Sequence, residues 1–350
     1  MARRRTLLLA LAVALPVASV AMPSLSWRAT TMGTDYSVTI AGVAPNVRLE
    51  TELRAAVEQR LEEINRQMSH YRPDSELSRF NRSVQTTPVK VSPKLAHVTR
   101  RALELARDSD GAFDPTLEPL LRLWGFGSET NIVGVPTDEQ IAVALRQCGA
   151  RHLRVTAADE LQKDIPGLQF NLSAIAKGYA ADEVARLLCG LGYSNLLVAV
   201  SGEMVALGRN PQGRPWQVGI EQPRYTRWRN LQLCAVVPLS GRAISTSGDS
   251  HQFFRDETGR IRGHILDPRT GRPVEHRLAS VTVVAPDALT ADGAATTLFV
   301  LGVERGLHWL EERPTLGALF IVRESDGSFR LIPSPRFPSY AQHSPARKTD

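Results

Sequence analysis

The stretch Phe170–Leu188, FNLSAIAKGYAADEVARLL, sets the reading of this chain. Leu172, Ile175, Ala176, Tyr179, Ala180 and Val184 recur at three- and four-residue spacing, so the segment predicts an amphipathic helix. Ser173 is placed to cap its first turn through the hydroxyl. Lys177 then falls close to the helix start. Unpaired amides and the positive end of the helix dipole gather there, so a cation one turn in would add a side-chain contact to a bound phosphate. A lysine on such a helix is also ordinary solvated surface. The neighbouring stretches must decide between the two.

Outward from this helix the elements alternate without internal repeats. YSVTI (36–40) reads as a strand, and Leu49, Leu53, Val57, Leu61, Ile64 and Met68 mark a long amphipathic helix. HYRPDSELSRFN (70–81) reads as a polar loop, and a second helix covers roughly 94–107. DGAFDPTLEPLLRLWGFG (110–127) is rich in turn residues, and Thr137 with Gln140 suits a capping box. Strand-like runs follow at 196–200, 216–220, 233–239, 279–286 and 316–322, with a helical pattern over 289–301. Strands and helices mix without strict βαβ order, which predicts an α+β fold of mixed sheets with packed helices. No GxGxxG or GxxxxGK[ST] is present to hold a nucleotide in the usual ways.

The chain has 350 residues, 43% hydrophobic and 22% charged, enough for an ample core. Its formal charge is +6, partly held by Arg3, Arg4 and Arg5 at the start and by Arg347 and Lys348 at the end. No run of Lys and Arg with interleaved aromatics suits nucleic acid. The opening MARRRTLLLALAVALPVASVAM has a basic start, an apolar stretch and small residues at Ser19 and Ala21, so residues 1–21 read as a signal peptide. The expected product is exported to the periplasm, by the Sec or the twin-arginine route. No cysteine near Ala21 supports a lipid anchor. A single domain is expected over 28–332, with a loose tail over 333–350. Cys148, Cys189 and Cys234 lack paired spacing and read as buried thiols.

Four further stretches carry chemistry. In LTADGAATTLFVLG (289–302), Asp292 and Thr296 are four apart and share a helix face, as oxygen donors for a hard cation or as a helix-start acid and a packed hydroxyl. Asp292 is expected to be an exposed cleft carboxylate. GHILDPRTGRPV (263–274) places His264 beside a hairpin-like turn. AISTSGDSHQFF (243–254) is hydroxyl-rich, and DGAFDPTLEPL is either a ligand-contacting turn or a connection.

Together these motifs resemble the ApbE family of flavin transferases, from about Thr31 to Leu307. The resemblance rests on MGTDYSV, YRPDSELSRFN, GAFDPTLEPLLRLWGFG, NLSAIAKGYAADEVA, ISTSGD, HILDPRTGRPV and SVTVVAPDALTADGAATTLFVLG. It implies an ApbE-like fold and an Mg2+-dependent FAD:protein FMN transferase, which moves the FMN half of FAD onto a Thr or Ser hydroxyl of a target protein and releases AMP. An FAD pyrophosphatase yielding FMN and AMP, or a non-catalytic flavin-binding maturation factor, would share most of these residues. The implied target is a subunit of a membrane redox complex of the Rnf, sodium-pumping NADH:quinone or nitrous-oxide-respiration type.

Carried over by motif, Met32 and Tyr71 line the flavin site, Ala112, Phe113 and Asp114 form the turn that contacts FAD, and Asn171, Lys177 and Leu266 address the cofactor. The Ala174 carbonyl with Asp292 and Thr296 would hold Mg2+. His264 is the candidate for proton transfer, with Asp249 and Asp267 as competitors in neighbouring motifs. Two positions depart from the family pattern. Asn171 stands where an aspartate is usual, and Ser201 precedes Gly202-Glu203 where Gly-Gly-Glu is usual.

Overall fold

The computed structural model describes residues 21–127, 134–225, 232–250 and 252–342. Most of the expected signal peptide and the last eight tail residues therefore lie outside the described residues. A hairpin of β1 (Ser24–Thr31) and β2 (Thr34–Ala41) opens the chain, followed by α1 (Val47–Met68), α2 (Glu76–Arg82), β3 (Val89–Lys90) and α3 (Pro93–Asp108). Next come α4 (Glu118–Leu123), α5 (Asp138–Leu145), β4 (Leu153–Val155), β5 (Glu160–Lys163) and α6 (Ala176–Gly190). The strands β6 (Leu196–Val200), β7 (Glu203–Leu207), β8 (Trp216–Glu221), β9 (Leu233–Leu239) and β10 (Arg242–Gly248) succeed them. Two small hairpins, β11 (Phe253–Arg255) with β12 (Ile261–Gly263) and β13 (Leu266–Asp267) with β14 (Arg272–Pro273), lead to β15 (Leu278–Ala285). The chain closes with α7 (Ala288–Glu311), β16 (Gly317–Arg323), β17 (Phe329–Pro333) and β18 (Ala341–Gln342).

An eight-stranded antiparallel sheet in the order β1-β2-β6-β7-β10-β15-β16-β17 is the centre of the molecule. One face carries α6 and α7. Val281, Val283 and Ala285 of β15 pack there against Ala291, Ala294, Ala295 and Leu298 of α7. The other face is covered by β18-β9-β8, whose Trp216, Val218, Ile220 and Val237 meet Ile244, Val284, Leu319 and Ile321. Every residue of β15 is buried because both of its faces are covered. The outcome is the α+β class expected.

Local signals explain most elements. The spacing that predicts α1 buries Leu53, Val57, Leu61, Ile64 and Met68, and Asn46 Oδ1 accepts from the Leu49 amide at 3.0 Å. The capping box at Thr137 and Gln140 forms, with both reciprocal bonds in place. Three expectations fail. The polar loop over 70–81 contains α2, started by Ser75 Oγ accepting from the Ser78 amide and held by buried Leu77 and Phe80. The tail expected to be loose from 333 is bound through residue 342. Ser334 Oγ accepts from Ala318 N at 2.9 Å, Phe337 is buried against Tyr340, and β18 pairs with β9. At the other end Leu25 is buried, so the folded unit outruns 28–332 on both sides. Cys148 and Cys234 are buried thiols as expected, but Cys189 is exposed near the end of α6.

Candidate active site

The heads of α6 and α7 meet at Gly178. A Cβ there would run into the Ala288 carbonyl and lie 2.8 Å from Asp292 Cβ, so only glycine allows this approach. Asp182, one turn further along α6, accepts from the amides of Ala288 and Leu289 at 2.8 and 2.9 Å and caps α7 together with Asp287. The motif AKGYAAD thus fixes α7 against α6 and delivers Asp292 beside Lys177. Asp292 is not an exposed cleft carboxylate. It is 2% exposed, and its Oδ2 accepts from the Gly178 amide at 3.0 Å, because the glycine contact draws that turn of α7 inside the fold.

The Lys177 side chain is 29% exposed, and its Nζ lies 3.2 Å from Ser173 O and 3.4 Å from Glu203 Oε1. Burial works against its charge, but the Asp292 and Glu203 carboxylates more than offset this and hold its pKa above the ordinary value. Glu203 is pushed up to about 7 by burial and by Asp292, against the pull of Lys177. Its Oε2 is buried without a hydrogen-bond partner among the described residues. Burial likewise raises Asp292, with Lys177 opposing. Two buried acids thus flank a half-buried lysine.

The residues leading into α6 differ from the expected cap. The helix starts at Ala176, and no side chain caps it. Ser173 Oγ faces His70 Nδ1 at 3.4 Å instead. Asn171 Oδ1 takes the Ser173 amide at 3.2 Å, Asn171 Nδ2 donates to Glu118 Oε2 at 2.8 Å, and the Asn171 amide donates to Pro115 O at 2.8 Å. An asparagine turn therefore outcompetes the serine cap. Because the Gly178 amide bonds Asp292, it is diverted from Ala174 O, its partner in a regular turn. That carbonyl, the Asp292 carboxylate and the Thr296 hydroxyl, 3.0 Å from Ser247 Oγ, are hard oxygen donors of the kind Mg2+ takes. The residues fit the ion on this ground. Among the described residues no three His, Cys, Asp or Glu side chains converge as a metal group, so a cation here would rest on one carboxylate with neutral oxygens.

The expected flavin-side residues surround this junction unevenly. Met32 sits at φ 50 and Gly33 at φ 70 in the β1–β2 turn, a left-handed backbone that methionine adopts only under constraint. Tyr71 is 60% exposed, its ring 3.9 Å from that of His70, and partial burial and the Glu118 charge raise its phenol pKa against the opposing charge of Lys177. Ala112 and Phe113 are buried, and Asp114 is spent on the fold: Oδ1 accepts from Thr116 N at 2.7 Å and Oδ2 from Ala150 N at 3.0 Å. Any contact of this turn with a ligand would run through its backbone.

Leu266 packs on α4 and His264 precedes it in the chain by two residues. Leu266 is buried with Leu117, Leu120 and Trp124. The His264 ring lies 6.3 Å from that of Phe126, and its Nδ1 is 3.2 Å from Gln252 O. The two competitors are engaged: Asp249 by both arms of Arg323 at 3.1 and 3.2 Å and by the Tyr225 hydroxyl, Asp267 by Arg269 at 2.8 and 2.6 Å. Sequence reasoning passed over His70, Glu118 and Ser247. Each lies inside a motif already singled out, but only the tertiary pairing brings them to the site. Ser201 occupies φ 59, which explains why glycine is at ease there.

By fold and site the molecule is of the flavin-transferase class. Flavin Transferase ApbE from Vibrio cholerae matches it with a TM-score of 0.79 at 38% identity, covering 90% of this chain and 98% of that one. The FAD:protein FMN transferase of Escherichia coli (strain K12) is 40% identical over 313 residues, 89% of this chain and 87% of that protein. That of Vibrio cholerae serotype O1 is 41% identical over 300 residues, 85% and 87%. The ApbE family model matches residues 32–320. The chain belongs to the ApbE family.

Proposed function

We propose that this chain is an exported FAD:protein FMN transferase that depends on Mg2+. The observation that carries the reading is the seating of Lys177 against Asp292 and Glu203 at the joined heads of α6 and α7. In the reaction, a Thr or Ser hydroxyl oxygen of the target attacks the phosphorus of the FMN half of FAD. A P–O bond forms to the hydroxyl oxygen, the P–O bond to the AMP half breaks, and AMP leaves. Lys177, half-buried beside the two acids, supplies positive charge to the diphosphate. The His264 imidazole accepts the hydroxyl proton. Mg2+ held by Ala174 O, Asp292 and Thr296 would neutralise further charge on the diphosphate oxygens. Tyr71, exposed beside Lys177, offers an aromatic face to the flavin.

The basic, apolar and small-residue order of residues 1–21 supports export to the periplasm. Among the described residues no helix is long and apolar enough to cross a membrane. The target we propose is a flavoprotein subunit of a membrane redox complex of the Rnf, sodium-pumping NADH:quinone or nitrous-oxide-respiration type.

The test incubates the mature chain with FAD, Mg2+ and a domain bearing the acceptor hydroxyl. The target gains one FMN and AMP is released in equal amount. Both products vanish without Mg2+, and Asp292→Asn, which keeps an acceptor for the Gly178 amide but removes the charge, lowers turnover about a hundred-fold or more. AMP and free FMN formed at one rate with or without target would make the chain a hydrolase, and intact bound FAD a carrier.

A further inference from the structure

Asn171 and Glu118 form a contact that the function as stated does not use. Glu118 is 1% exposed and Asn171 8%, and the amide Nδ2 lies 2.8 Å from Glu118 Oε2. The second carboxylate oxygen accepts from Arg122 Nε at 3.0 Å. The amide can point only one way. Turned over, its oxygen would face the carboxylate and its NH2 the Ser173 amide, an acceptor–acceptor and a donor–donor clash. The pair also spans two parts of the site. Glu118 continues from the turn 112–116, while Asn171 leads through Ser173 to Ala174 and Lys177, and its backbone amide bonds Pro115 O at 2.8 Å.

We propose that Glu118 is a positioning residue of the FAD site, matched to a neutral Asn171 so that the turn 112–116 stays docked on the head of α6, and that an acid at 171 is tolerated only when Glu118 is neutralised. The chemistry is that of two carboxylates at hydrogen-bond distance. Aspartate at 171 keeps the acceptor for the Ser173 amide but loses the donor to Glu118, and two buried carboxylates so close cannot both ionise. They either share one proton or part, and parting moves the turn off α6. The aspartate usual in the family at this place is therefore the wrong residue for this chain as it stands.

The inference rests on the transferase reading, so the two are tested by different measurements. FAD binding and AMP release by the unmodified mature chain test the reading. The coupling between positions 118 and 171 is read from Tm without FAD and from FAD affinity by flavin fluorescence. Asn171→Asp should lower Tm and weaken FAD binding about ten-fold or more. Adding Glu118→Gln should restore affinity to within about three-fold, because the Gln amide then donates to the carboxylate introduced at 171. In turnover, Asn171→Asp should raise KM for FAD far more than it lowers kcat. If Asn171→Asp alone does not fold, recovery of a folded, FAD-binding protein in the double variant is the same rescue. Wild-type affinity for Asn171→Asp, a double variant no better than the single one, or a lowered Tm with unchanged FAD affinity would overturn the proposal.

Discussion

The α6–α7 junction and the His264 segment, to which we assign one reaction, are built in opposite ways. At the junction, Gly178, Asp182 and Asp292 lock two helix heads with backbone contacts, and the buried carboxyls of Glu203 and Asp292 flank half-buried Lys177. Between the short strands β12 and β13, the His264 ring lies near that of Phe126 and its Nδ1 near Gln252 O. The difference fits their tasks. Stabilising charge on a diphosphate needs fixed groups away from water, whereas a base that meets a protein hydroxyl must stay reachable by a macromolecule.

The largest effect should come from breaking the junction. Gly178→Ala forces a methyl group into the Ala288 carbonyl, so we expect a loss of roughly 3 kcal/mol or more in thermal melts, with turnover gone. A variant of wild-type Tm would mean that the two helix heads are free to shift. At the His264 segment the outcome should invert: His264→Gln lowers turnover about a hundred-fold or more while stability changes by less than about 0.5 kcal/mol. Equal losses of activity and Tm would erase the contrast between the regions.

Smaller effects sharpen the electrostatic side. Glu203 binds its proton more tightly in the fold, at about 7, than at its ordinary 4.5. Stability of the metal-free protein from this group is complete below pH 4 and falls as pH rises through 7. Glu203→Gln should therefore flatten that slope and raise stability at pH 8 by on the order of 2 kcal/mol, with little change at pH 4. A slope that persists in the variant would assign it to another buried group, Asp182 being the next, pushed up to about 6 chiefly by burial. The smallest effect is Ser201→Gly. It relieves φ 59 and should raise stability by about 1 kcal/mol in denaturant unfolding.

Much of this was legible in the sequence where local chemistry is strong. The apolar stripe of α1, the capping box at Thr137 and the strand runs all form where the residues place them. The AKGYAAD stretch announced a helix with a lysine near its head. What the sequence hid was decided by residues far apart along the chain. Ser173 loses the cap because Asn171 has Glu118 and Pro115 to hold it. Asp292 is buried because Gly178, 114 positions earlier, has no side chain. Composition marked the tail as loose, yet two aromatic rings and a strand partner suffice to bind it. The site residues themselves came from the family resemblance, while their division into core and edge came from the fold.

The backbone of α7 breaks at Gly302, where φ is 76 and ψ is −176. Its first half carries Asp292 and Thr296, while beyond the break Trp309 Nε1 and an Arg313 arm donate to Asp108 O at 2.8 and 3.1 Å. Asp108 ends α3, immediately before the turn 110–114. One helix pair thus tethers Asp292, Thr296 and the turn 110–114 to the same element, so in hydrogen exchange the amides around Asp292 and those at the end of α3 should open as one cooperative unit rather than as two.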